Sequence, residues 1–173
     1  MPKSRGSYGQ HERTGDRPFF TGSAPVVRGS NEFTPPKQLL LDLSEEEATK
    51  TPPNVPHSIV QIVAHMHFWQ SFMLDLMQEK SPVYPDNEEA GWPEVAADQW
   101  PQLRTDFLAC LDFLQQLTFD EKALAQEYKP GTTVGYLICD AALHNAYHLG
   151  QIALLRCQLG LWPPAGGKGY GYW

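Results

Sequence analysis

From residue 34 onward the apolar positions fall at helical intervals. The stretch near Gln38 to Leu43 predicts a short apolar helix, and Ser44 with Glu47 three residues later makes a capping-box pattern before prolines 52, 53 and 56 break the run. Ser58 with Gln61 repeats the box and opens "SIVQIVAHMHFWQSFMLDLMQEK", where Ile59, Ile62, Met66, Trp69, Phe72, Met73 and Leu76 recur every three or four residues. This predicts a long helix ending before Pro82. The following "SPVYPDNEEAGWPEVAA" has no period and reads as a loop. Asp98 is placed to cap a third helix with Leu103, Phe107, Cys110, Leu111 and Leu114 as its core stripe, Pro101 being tolerated in the first turn. "FDEKALAQEYKPGT" predicts a short helical turn or an irregular connection, after which Thr132 or Thr133 opens a last helix running to about Leu161. No stretch reads convincingly as a strand. The expected fold is all-α, a bundle of four main helices of which the first is short.

The chain's 173 residues, 42% of them hydrophobic, suffice for one domain with a sizeable core. Residues 1–33 are rich in Gly, Ser, Pro and Arg without periodicity and read as a flexible polar tail that contains His11, an imidazole in solvent. The bundle is expected over 34–164, and a Gly/aromatic tail over 165–173. The net charge of −7 changes the picture more, because the first 33 residues carry five basic and three acidic side chains, so the remainder holds 8 basic against 17 acidic ones. No basic field exists to hold a phosphate backbone or an anionic lipid surface, which argues against nucleic acid and membrane partners. No apolar run reaches the ~20 residues of a membrane span, nor does the start of the chain resemble a secretory signal. Cys110, Cys139 and Cys157 form no paired framework and no zinc-ligand spacing, so a reducing cytoplasm is expected, with the cysteines as small core residues.

In "ALHNAYHLGQIALLR" two histidines sit inside an apolar run. Leu137, Ala141, His144, His148, Ile152, Leu155 and Leu159 step by three or four, so both imidazoles project from the seam that faces the bundle interior. Spacing i, i+4 brings their ring nitrogens to one side of the helix, where they can share a cation. The residue after His144 is Asn145, so no HExxH protease base is present. A third ligand is available in "VAHMHFW": His65 shares the core stripe with Ile62, Trp69 and Phe72, whereas His67 aligns with Val60, Gln70, Ser71 and Leu74 on a weaker side. His57, just before the Ser58 cap, is expected to be exposed. Three neutral imidazoles from two facing helices would hold Zn²⁺, or Ni, Mn or Fe, and leave a position open, the pattern of catalytic rather than structural sites. The competing reading is a polar core network of histidines with Asn145 and Gln151.

"HSIVQIVAHMHFW", "LHNAYHLGQIALLR" and "LGLWPP" resemble the DinB-like superfamily over roughly residues 38 to 164, the "HNAYHLGQI" run being the most specific element. The resemblance implies a four-helix bundle with a long connection between the second and third helices. It also implies a metal bound by one histidine of the second helix and two of the last, carried here onto His65, His144 and His148. The short, proline-flanked first helix departs from the family's longer one. Members of the superfamily include metal-dependent transferases that use low-molecular-weight thiols and a mycothiol-dependent isomerase, so the resemblance points to thiol transfer onto a small electrophile.

Around the site, Asp140 precedes His144 by four residues and Gln151 follows His148 by three, which makes both candidates to orient an imidazole, Asp140 also a fourth ligand. Tyr147 is a candidate proton donor or a core aromatic, and Trp69 a wall. Metal-activated hydrolysis would need a carboxylate base beside the water, for which Asp140 is the candidate. A non-catalytic metal-binding or interaction module is the remaining alternative. The apolar third and fourth helices offer more sticky surface than a monomer of this size needs, and a homodimer is expected.

Overall fold

A computed structural model describes residues 34–166. The tail expected over 1–33, with His11, and residues 167–173 lie outside the described residues. The described chain is mostly helical: α1 (Pro36–Leu40), α2 (Glu45–Thr49), α3 (Ile59–Met77), α4 (Trp100–Leu117), α5 (Glu121–Ala125) and α6 (Val134–Gln158), with 3-10 turns at Glu89–Gly91 and Ala97–Gln99. Both capping boxes form. Ser44 accepts from the Glu47 amide while Glu47 accepts from the Ser44 amide, and Ser58 does the same with Gln61. Thr133, rather than Thr132, caps α6 through the Tyr136 amide.

Two expectations are corrected. Asp98 does not cap α4, since it sits in the 3-10 turn that runs directly into the helix; Gln99 occupies the cap position, and its Oε1 accepts from the Ala96 amide rather than from an amide of α4. A small antiparallel hairpin, β1 (Glu127–Lys129) with β2 (Thr132–Thr133), stands where no strand was expected. Pro130-Gly131 turns it, Gly131 taking φ +77, a conformation glycine adopts without a side-chain clash.

The core forms two clusters. One joins Leu39, Leu40 and Leu43 to Ile59, Ile62 and Met66 of α3, Phe107 and Leu111 of α4, and Ile152 and Leu155 of α6. The other joins Leu114 of α4 to Val134, Ile138 and Ala141 of α6, with Met73 and Met77 of α3 against it. Going from the first cluster to the second, α3 and α4 run forward and α6 runs back. Parallel neighbours cannot be joined by a tight turn, which is why residues 78–99 form a long return connection between α3 and α4. No helix among the described residues is long and apolar enough to cross a membrane.

The N-terminal side of the first core cluster is formed by the five-residue helices α1 and α2, each too short to persist unaided. Neighbours satisfy the carbonyls at the end of α1: Trp100 Nε1 donates to Leu43 O at 3.0 Å, Arg104 Nη1 to Leu41 O at 3.1 Å and Arg156 Nη1 to Leu39 O at 2.7 Å. Arg156, 2% exposed, also forks onto Asp42 with Nη1–Oδ1 at 2.8 Å and Nη2–Oδ2 at 2.9 Å, and both Nε and Nη2 donate to Leu161 O. All five N–H groups of the guanidinium therefore have acceptors. Burial opposes ionisation of Asp42, but the hydrogen bonds from Arg156 and from the Ala165 amide outweigh it and hold the carboxyl below its usual range.

Candidate metal centre

Three imidazoles meet where α3 faces α6. His65 projects from α3 and His144 and His148 from successive turns of α6; His65 and His148 are buried and His144 half-buried. One ring nitrogen from each lies within 4.8 Å of the others. His65 Nε2 and His144 Nε2 are 3.2 Å apart. Two nitrogens each ~2.0–2.1 Å from a tetrahedral zinc would stand about 3.3 Å apart. The spacing therefore suits a shared ion. Among the described residues no fourth His, Cys, Asp or Glu joins the group.

The hydrogen bonds on the far side of the rings determine which nitrogens are free. His65 Nδ1 lies 2.7 Å from the Gly91 carbonyl, and His148 Nδ1 2.7 Å from Gln151 Oε1. Both partners only accept, so both Nδ1 atoms carry the proton and both Nε2 atoms present a lone pair to the centre. Burial first, and then the neighbouring imidazoles, push the pKa of His144 down to about 4. Burial likewise lowers that of His65 against the opposing Gly91 bond, and that of His148 against the opposing Gln151 bond. The rings are neutral at physiological pH, the form in which imidazole binds a metal.

His67 lies elsewhere. It lines a separate cavity of about 380 Å³ on another side of α3, with Phe68, Ser71 and Asp75, and its buried Nδ1 has no hydrogen-bond partner. Gln151, the candidate orienter, places its Oε1 against His148 Nδ1. Asp140 lines the site cavity but is exposed, and no hydrogen bond joins it to an imidazole; the Nδ1 atoms of His65 and His148 go to Gly91 and Gln151 instead. Tyr147 is 66% exposed, with its ring edge-on to His148 at 5.1 Å, so packing in the core is not its role. Trp69 forms a wall as expected. Of the cysteines only Cys110 is a core residue, its thiol raised to about 11 by burial; Cys139 is exposed and Cys157 half-buried.

Sequence reasoning passed over the connection between α3 and α4. Trp92 is sandwiched there between His57 (3.8 Å between ring centroids, 9° between planes) and His65 (3.9 Å, 12°). His57 is thus half-buried against an indole rather than exposed. A Cβ on Gly91 would lie 3.1 Å from Trp69 Nε1, so the close approach that brings its carbonyl to His65 leaves little room for a side chain. The available signal was "GWP", a lone Gly-Trp in a proline- and acid-rich loop with no apolar stripe to join.

A cavity of about 530 Å³ opens over the three histidines. Along α3 its wall is a run of rings in contact, from His65 to Trp69 (6.5 Å), Trp69 to Phe72 (5.5 Å) and Phe72 to Tyr84 of the connection (4.6 Å). Tyr128 of the hairpin and Tyr136, Leu137, Asp140 and Tyr147 of α6 complete the lining. No curated protein and no solved structure matches the chain. The sequence profile of the DinB superfamily matches residues 37–152, from α1 to beyond His148. That match covers more than half of the chain and includes all three histidines, and the protein belongs to the DinB superfamily.

Proposed function

We propose that His65, His144 and His148 bind one divalent metal ion, zinc first among Zn, Ni, Mn and Fe, and that the protein is a metal-dependent transferase joining a low-molecular-weight thiol to a small electrophile. The observation that carries the assignment is the convergence of three neutral imidazoles at the floor of an aromatic cavity with no fourth protein donor among the described residues. Bound there, the ion would act as a Lewis acid and lower the pKa of a coordinated thiol. Gly91 and Gln151 hold two rings in the tautomer that leaves Nε2 free. Trp69, Phe72 and Tyr84 form an apolar wall that displaces water from the bound molecule. Tyr147, beside His148 and lining the cavity, is the hydroxyl assigned to proton delivery. We read α1 and α2 together as the first helix of a four-helix bundle of the superfamily's type.

Metal-activated hydrolysis is the alternative; its candidate carboxylate base, Asp140, lines the cavity but is exposed. Titrating β-mercaptoethanol into the cobalt-loaded protein tests the proposal. A sulfur-to-cobalt charge-transfer band at one thiol per chain is expected, and a d–d spectrum unchanged at millimolar thiol would contradict thiol coordination.

A further inference from the structure

Two consecutive residues of the connection between α3 and α4 fix the ring of His65 from outside its own helix. His65 Nδ1 donates to the Gly91 carbonyl at 2.7 Å, which sets the tautomer and the direction of the ring within its plane, and Trp92 lies flat against the ring at 3.9 Å and 12°, which sets the plane itself. The same indole meets His148 edge-on at 6.1 Å and 83°, and His57 backs its other face at 3.8 Å. Trp92 thus packs against two of the three histidines. The Nε2 lone pair lies in the ring plane, so a metal ion is held well only when that plane points at it. A divalent ion on Nε2 would place positive charge on the imidazole. The Gly91 bond then becomes charge-assisted and the stack on Trp92 gains a cation–π component, both stronger than with the neutral ring. Trp92 is half-buried on the first core cluster, in a segment whose only regular elements are the 3-10 turns Glu89–Gly91 and Ala97–Gln99. Tyr84, on the same connection, packs on Phe72 and forms part of the cavity wall. We propose that Trp92 is a positioning residue for the metal centre, and that metal occupancy, acting through Gly91 and Trp92 on His65, orders the connection that carries Tyr84. Linkage makes the two effects one quantity: the factor by which the closed connection tightens metal binding is the factor by which the metal favours its closing.

This rests on the metal assignment and is independent of the thiol. The test measures zinc affinity by chelator competition in the full chain, for the wild type, Trp92→Leu and Trp92→Phe, and follows amide hydrogen exchange of residues 78–99 with and without saturating zinc. Trp92→Leu should weaken zinc binding by about 10- to 100-fold, while Trp92→Phe, which keeps a ring to stack on His65, should stay within about threefold of the wild type. Zinc should slow exchange in the wild-type connection by about the factor lost in Trp92→Leu, and should leave that segment nearly unprotected in Trp92→Leu itself. A merely structural tryptophan would not make zinc protect the connection. Circular dichroism checks the fold, and should Trp92→Leu fail to fold, the Trp92→Phe affinity and the wild-type exchange still decide. Zinc affinity within about twofold of the wild type in a folded Trp92→Leu variant, Trp92→Phe as weak as Trp92→Leu, or wild-type exchange over 78–99 unmoved by zinc would overturn the proposal while leaving the metal site in place. Wild-type protein that takes up no zinc removes the metal assignment and this proposal together.

Discussion

Replacing Asp42 with alanine should cost the fold about 3 kcal/mol, although Asp42 does not line the histidine cavity. Its carboxylate accepts both ends of the Arg156 fork, and Arg156 is 2% exposed. The variant leaves two buried guanidinium N–H groups and their charge without a partner. Charge-assisted bonds of this kind are worth roughly 1.5 kcal/mol each at the low end, and the low end applies because the Asp42 side chain is 27% exposed and water can enter its place. The Ala165 amide, 2.7 Å from Asp42 Oδ2, loses its acceptor as well. For a chain of this size the melting temperature should fall by roughly 6–12 °C, and urea denaturation followed by circular dichroism gives the free energy directly. The pH dependence has a definite sign. The carboxyl's folded-state pKa is depressed, so its contribution is fully present above the ordinary value of 3.8 and is lost as pH falls through the lower folded-state value. The acid limb of stability should therefore flatten in Asp42→Ala. A loss under about 1 kcal/mol, the range of exposed ion pairs, would refute the view of this pair as a buried clamp on α1.

Further outcomes follow from the site. Alanine at His65 should abolish zinc uptake and alanine at His67 should leave it near one ion per chain, measured by atomic emission on dialysed protein; the reverse result would exchange the two assignments. Gln151→Leu removes the acceptor that holds His148 and should weaken zinc binding by about 10- to 100-fold in chelator competition, with the helical spectrum unchanged. The exposed face of α6 carries Tyr136, Leu143, Tyr147 and Leu154 in one stripe, each 48–67% exposed, and this is the surface expected to join a homodimer. Sedimentation at tens of micromolar should show two chains, falling to one in Leu143→Glu, and a wild-type monomer would contradict it.

The sequence carried the long helices and the histidine cluster for one reason: both are periodic. The stripe Leu137, Ala141, His144, His148, Ile152 places two imidazoles on the seam from spacing alone, and sharing a stripe with Ile62 and Phe72 separates His65 from His67. Capping boxes were legible because they are local, closed within three residues of Ser44 and Ser58. What was not legible depends on contacts between distant parts of the chain. Trp92 has no period to join, and its place between His57 and His65 follows from how residues 78–99 return across α3. Asp42 and Arg156 are 114 positions apart, each looking like an ordinary solvated charge in its own segment. Asp140 was placed beside the rings by its i, i+4 spacing to His144; it does line the cavity, but its side chain is exposed, which spacing along one helix does not reveal. The hairpin at Glu127–Lys129 and Thr132–Thr133 is too short to alternate, and only Pro130-Gly131 announces it.

The central claim is that the three imidazoles hold one metal ion. Protein purified without an affinity tag, stripped with chelator and reloaded with zinc should retain one ion per chain after dialysis. His144→Ala should retain less than a tenth of that while keeping its helical spectrum and its place on the sizing column. Wild-type protein that keeps no zinc, or a folded His144→Ala variant that keeps as much as the wild type, would contradict the account.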